Sequence, residues 1–245
     1  MKKEVVIQLR KLSKTFYINK KSISTTQRLL NLFSRSRLKV EALKDINLDV
    51  YKGETLGIIG HNGSGKSTLL KIIIGAIDPN RGSSVSSKGR IIRLALGMGF
   101  DHSLTARDNV YLNGTIIGLS FQDIGNKFDE IIDFANLREF IDTPIKYFSS
   151  GMKSKLAFSI AVHADADIYL IDEFFGDVGD EAFKAKSQKL FEDNILKGKT
   201  ILHVSHSLDT IEKHCDRVLL LNQGKATIYN NPYEALNDYR NLAVL

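Results

Sequence analysis

The chain has no tryptophan, one cysteine and three prolines among its 245 residues. A single thiol, Cys215, excludes an internal disulfide and suits a reducing compartment, where it is expected to act as a small buried hydrophobe. No stretch approaches the ~18 consecutive apolar residues that a membrane-crossing helix needs, so any attachment to a membrane is expected to be peripheral and on the cytoplasmic face. The opening residues Met1 to Arg10 alternate like a strand and lack the apolar core of a secretory signal. Internal repeats and low-complexity tracts are also missing. What remains is a chain with 43% apolar residues, enough for a sizeable core in one α/β unit with a helical addition.

Charge is unevenly spread. Residues 1–40 carry eleven Lys/Arg and one acid, a net +10, against 23 basic and 27 acidic residues in the remainder. Within this front end, Thr26 to Lys39 mixes apolar and basic residues like an interfacial helix, which makes anionic lipid headgroups or acidic protein loops natural partners. We place a basic insertion at about 18–40 between two strands, about 4–9 and 45–50. No aromatic-interleaved basic platform accompanies it, so nucleic acid is not expected as a partner.

Chemistry concentrates at Gly60-His61-Asn62-Gly63-Ser64-Gly65-Lys66-Ser67, which fits G-x-x-x-x-G-K-[ST] between an apolar strand pattern at 55–59 and a helical one opening at Thr68. Glycines let successive backbone N–H groups turn around a phosphate, the helix N-terminus adds partial positive charge, and Lys66 adds a full one. Ser67 would offer its hydroxyl to Mg²⁺. A second stretch, Asp167-Ile168-Tyr169-Leu170-Ile171-Asp172-Glu173, is a buried strand pattern closing on two carboxylates. In a parallel sheet, ligands lie beyond the carboxyl ends of strands, where Asp172 could hold the same Mg²⁺ and Glu173 could take a proton from water. A third, Ser149-Ser150-Gly151-Met152, opens a helical pattern with Ser149 or Ser150 as N-cap, an anion-binding geometry. Residues 108–143 read as helical, with Ser120 capping Phe121 to Phe140 and a core stripe at Ile124, Phe128, Ile131, Ile132 and Phe140. Strand 200–204 ends at Ser205-His206, and Pro232 marks a turn before a short last helix. His61 and His203 are expected to be structural.

Taken in order, the loop at 60–67, Ser149 to Met152, Ile168 to Glu173, and Val204-Ser205-His206 resemble the phosphate loop, signature, metal-binding strand and switch histidine of ABC-transporter ATPases. The resemblance runs from Leu12 to about Tyr239. It implies a P-loop α/β fold of the ABC nucleotide-binding type: a RecA-like parallel core, an antiparallel β subdomain and a helical signature subdomain at about 101–165. The whole of 1–245 is then one domain. Tyr147-Phe148-Ser149-Ser150-Gly151-Met152, the Leu96-Gly97-Met98-Gly99-Phe100 stretch, Leu104 to Gly114, and Val178-Gly179-Asp180-Glu181-Ala182-Phe183 resemble the forms found in exporters of bacterial surface polysaccharides.

That resemblance implies ATP and Mg²⁺ as ligands and a homodimer with a separate transmembrane subunit, contacted through Leu96 to Phe100. It implies that ATP is held by Gly60, His61, Asn62, Gly63, Ser64, Gly65, Lys66, Ser67 and Thr68, with Phe16 rather than Tyr17 stacking on adenine. Ser67 and Asp172 hold the metal, Glu173, His206 and Lys66 serve catalysis, and Ser149, Ser150, Gly151 and Met152 reach the ATP of the other subunit. The implied activity is ATP-driven export of O-antigen, capsule or teichoic acid chains. A soluble ABC ATPase acting on ribosomes or nucleic acid is the alternative, although such proteins usually carry two cassettes or coiled-coil insertions. Two departures from the wider family stand out. The Gly97–His102 stretch lacks the usual Mg²⁺-contacting glutamine, and Phe174 to Asp180 is one residue longer than usual. With no further domain after Leu245, recognition of a polymer end is expected to occur elsewhere.

Overall fold

The strands buried along their whole length lie at the centre of one sheet. The computed structural model describes residues 3–19, 37–94, 99–172, 180–191, 198–205 and 207–243. Within it, β3 (Thr55–Ile59) and β7 (Thr200–Val204) are buried along their whole length, as parallel strands covered on both faces must be. They belong to a six-stranded sheet ordered β5-β6-β7-β3-β8-β9, with β5 (Ile91–Leu94), β6 (Ile168–Asp172), β8 (Arg217–Asn222) and β9 (Lys225–Tyr229). All neighbours are parallel except the β8–β9 hairpin.

A second, antiparallel sheet has the order β2-β1-β4, from β1 (Val5–Asn19), β2 (Arg37–Tyr51) and β4 (Ser84–Ser87). The expected short strand pair is therefore a ribbon of 15-residue strands, and residues 18–19 and 37–40 of the expected insertion are strand. The reason lies in bulges between Leu9 and Thr15, where Lys11 and Asp45 both take φ 49 and let the ladder resume beyond the interruption. The remainder of the expected insertion, 20–36, lies outside the described residues.

Helix α1 (Lys66–Ile73) follows β3 and packs Leu69, Leu70, Ile72 and Ile73 against β1 and β2 side chains such as Leu9, Leu12 and Leu48. Three helices form a separate layer: α2 (Ala106–Ile116), α3 (Phe121–Ala135) and α4 (Ser150–Val162). Their core joins Ile124, Ile131, Ile132, Leu156 and Ile160 to Tyr169 and Ile171 of β6, each buried side chain contributing about 1.5–3 kcal/mol. Helices α5 (Glu181–Phe191), α6 (Leu208–His214) and α7 (Pro232–Ala243) complete the described elements.

The helical stretch expected at 108–143 is broken in two places. Thr105 forms a capping box with Asp108, so α2 starts earlier, and Gly118 turns the chain at φ 98 before Ser120 forms the second box with Asp123. Helix α3 then stops at Asn136, whose left-handed φ of 59 brings the Leu137 N–H back to the Ile132 carbonyl at 3.2 Å. Phe140 consequently lies in a separate 3₁₀ turn and is 41% exposed, while Ile124, Phe128, Ile131 and Ile132 are buried as expected.

Candidate functional site

The loop between β3 and α1 folds as its residue types demand. Gly63 takes φ 80 and Gly65 φ 115, conformations that side-chain-bearing residues rarely adopt. A Cβ at Gly65 would lie 2.6 Å from the Ala42 carbonyl oxygen, so β2 can pass directly behind the loop only because this position is bare. Gly224, in the β8–β9 turn, meets the same carbonyl from the other side, where a Cβ would come within 2.9 Å. Its N–H donates to the Ser64 carbonyl at 3.1 Å and its own carbonyl accepts from Lys44 N–H at 2.8 Å. Two distant segments, β2 and the β8–β9 turn, thus fix one loop.

Lys66 opens α1 with its ammonium folded back over the loop, donating to the carbonyls of Gly60 at 2.5 Å and His61 at 3.2 Å. A cavity of about 400 Å³ opens beside it, lined by residues 62–68, by Leu70 and Val204, and by Val40, Glu41 and Ala42 of β2. A magnesium polyphosphate fits what this loop presents: the Lys66 cation on its two carbonyls, exposed Ser67, open space at Gly63, and the buried Ser64 Oγ, without a hydrogen-bond partner among the described residues. The β2 residues Val40, Glu41 and Ala42 were not legible in the sequence, because only the strand packing brings them to the loop, whereas Val204 opens the Val204-Ser205-His206 stretch already singled out.

Asp172 is the last residue of β6 and pairs with Val204, so its backbone lies alongside the cavity wall. Glu173 and His206 lie outside the described residues, as do Leu96, Gly97 and Met98 and the Phe174–Gly179 stretch. Phe16 faces Val40 across the β1–β2 ladder and is exposed, with the Lys14 ammonium 5.3 Å from its ring. Tyr17 pairs instead with Lys39 and is 63% exposed.

Ser149 is the N-cap of α4, accepting from the Met152 N–H at 3.1 Å. It and Ser150 are exposed, and no side chain crowds Gly151, whose nearest contact for an added Cβ is the Ser149 hydroxyl at 3.8 Å. None of residues 149–152 lines the cavity at the phosphate loop. Within one chain the glycine-rich loop and this helix start thus line no common cavity.

The remaining histidines near the sheet behave differently from one another. His203, on β7, is buried, and burial lowers its pKa to about 4, keeping it neutral. His61 stacks on Tyr239 of α7, ring centroids 4.8 Å apart. Burial pushes the Cys215 thiol up to about 12, which leaves it an inert apolar filler against Ile211 and Val218.

A model of the ABC transporter family matches residues 43–176. The ABC transporter protein AbcA of Aeromonas salmonicida is 39% identical over 98% of this chain and 77% of its own length. The teichoic acids export ATP-binding protein TagH of Enterococcus faecalis is 40% identical over 98% of this chain and 53% of its own. The O-antigen export system ATP-binding protein RfbB of Myxococcus xanthus is 44% identical over 84% of this chain and 47% of its own. The chain therefore spans about half the length of the last two relatives. Among solved structures, an ATP-binding subunit of an ABC transporter superposes with TM-score 0.67 at 23% identity, over 98% of this chain and 94% of that one. A dimeric ATP-binding cassette with ADP and Pi superposes at 0.64 and 22% identity, over 91% and 98%. The fold is accordingly that of an ABC ATPase, and the chain belongs to the ABC transporter family.

Proposed function

We propose that this chain is the ATP-hydrolysing subunit of an exporter that drives lipid-linked polysaccharide, of O-antigen, capsule or teichoic acid type, across the cytoplasmic membrane. The observation that carries the reading is the phosphate loop, folded around a cation and an open cavity, in a chain related along nearly its whole length to export ATP-binding proteins. The relatives named above give the alternative, action on ribosomes or nucleic acid, no support.

As one nucleotide-binding domain, 1–245, with its signature subdomain at about 101–165, the chain works as a homodimer. Each phosphate loop faces the Ser149–Met152 helix start of the other copy, which explains why the two line no common cavity within one chain. Residues Gly60 to Thr68 cradle the phosphates, and Phe16, beside Val40 at the cavity edge, stacks on the base. Lys66 exchanges its loop carbonyls for phosphate oxygens and stabilises charge that develops on them. Ser67 and Asp172 hold Mg²⁺, which when bound neutralises phosphate charge. Glu173 orients or deprotonates water, and His206 senses the terminal phosphate.

A separate transmembrane subunit receives the motion through Leu96 to Phe100. The basic residues of 20–36, approached by a ribbon that exposes Ile18 (51%) and Leu38 (49%), suit an anionic membrane surface. No helix among the described residues is long and apolar enough to cross a membrane. Two measurements test the reading. Purified chain should hydrolyse MgATP and Lys66→Ala should not. Purification with its co-expressed genomic neighbours should retain a polytopic membrane protein, whereas retention of ribosomal proteins or nucleic acid would overturn the export assignment.

A further inference from the structure

Helix α7 reaches the phosphate loop at His61. The Tyr239 ring lies on the His61 ring, centroids 4.8 Å apart and planes 22° from parallel. His61 is the second residue of the loop, and its Nε2 is shielded from solvent without a hydrogen-bond partner among the described residues. With no polar partner at Nε2 among the described residues, the imidazole is held there by packing against the ring above it.

The backbone of the same residue does different work. Its carbonyl accepts from the Ser64 N–H at 3.1 Å, closing the inner turn of the loop, and from the Lys66 ammonium at 3.2 Å. Ring and carbonyl share one Cα, so a shift of His61 as a whole on loss of the stack would carry with it the carbonyl that shapes the turn and positions the lysine. The stack and the Gly224 N–H to Ser64 carbonyl bond brace the loop from behind at adjacent points.

We infer that Tyr239 is a positioning residue for the phosphate loop, acting through His61, so that the ring stack itself sets nucleotide affinity. The inference rests on the nucleotide-binding reading above. Other contacts besides Tyr239 hold α7 in place. Ala235 and Leu236 are fully buried against the sheet with Ile211, and the Tyr229 hydroxyl donates to Asp238 at 2.5 Å. The contact can therefore be cut while the helix stays docked.

Binding of MgATP to the purified chain, with melting temperature recorded alongside, tests this. Tyr239→Leu and Tyr239→Ala should weaken binding about three- to ten-fold, the range expected for one lost ring stack, and Tyr239→Phe should restore it. Asp238→Asn, which loosens α7 without touching the stack, should lower the melting temperature and leave affinity unchanged. In a double-mutant cycle, Tyr239→Leu should add nothing once His61 is already Ala. Equal affinity of wild type and Tyr239→Leu would overturn the inference, as would equal losses from Tyr239→Leu and Asp238→Asn. A wild-type chain that binds no MgATP would instead strike the nucleotide-binding reading itself.

Discussion

Lys155 on α4 donates to Asp180 at the head of α5, Nζ to Oδ2 at 2.6 Å, while the other carboxylate oxygen of Asp180 accepts from the Phe183 N–H at 2.9 Å. One carboxylate thus caps α5 and ties it to the helix that opens at Ser149. The Lys155 hydrogen bond, then the Phe183 N–H, hold this carboxyl below the ordinary aspartate range. The sign follows: a depressed carboxylate contributes above its unfolded pKa and is lost as pH falls through the folded one. Asp180→Ala should lower amide protection at Phe183 and Lys184 in hydrogen exchange. Asp180→Asn, which keeps an acceptor for the cap, should lower it less. Identical exchange in all three proteins would remove the link.

Gly65 and Gly63 should respond differently to alanine. At Gly65 the new methyl carbon meets the Ala42 carbonyl at 2.6 Å with φ 115, and at Gly63 it meets nothing within 4 Å with φ 80. Gly65→Ala should cost about 3 kcal/mol or more, and Gly63→Ala about 1–2 kcal/mol. Urea melts of both variants would measure the difference, and equal losses would refute the role given to the β2 backbone.

Glu173→Gln should keep ATP binding and lower turnover at least about a hundred-fold, the usual contribution of a positioned base. Size-exclusion chromatography with ATP should then show a persistent dimer. Normal turnover would remove Glu173 from the catalytic role.

His203 makes stability depend on pH. Burial lowers its folded pKa to about 4 from 6.5, so the unfolded chain takes up a proton that the folded chain refuses between those values. Stability is therefore full above pH 6.5 and is lost as pH falls towards 4, by up to about 3 kcal/mol. His163, shifted down chiefly by its own burial, acts in the same direction. His203→Gln should flatten the dependence of the urea midpoint on pH across this window. An unchanged slope would show that the groups responsible lie elsewhere.

Where a local rule decided the conformation, the residues announced it. The phosphate loop needs bare glycines, Ser149 and Ser120 are good caps, and β3 is apolar throughout; each expectation is met in the structure. Failures came where a short-range signal competed with a longer one. Phe140 kept the helical spacing, but Asn136 ended the helix first. Phe16, Ile18, Leu38 and Val40 alternate as a ribbon should, yet Lys11 and Asp45 interrupt the pattern, and the strands resume beyond them. Contacts such as His61 with Tyr239 and Ser64 with Gly224 join residues more than 150 positions apart, and nothing in either neighbourhood advertises the other.

The place of β3 in its sheet bears on when this chain can first work. Thr55 to Ile58 pair with Ile201 to Val204 on one side, and Leu56 to Ile59 with Arg217 to Leu220 on the other. A ribosome has therefore translated most of the chain before the strand beneath the phosphate loop gains either neighbour. Until then its unpaired apolar edges are a template for wrong partners, so the burden of keeping this strand from misassembly falls on the interval of synthesis before residues 200–220 arrive.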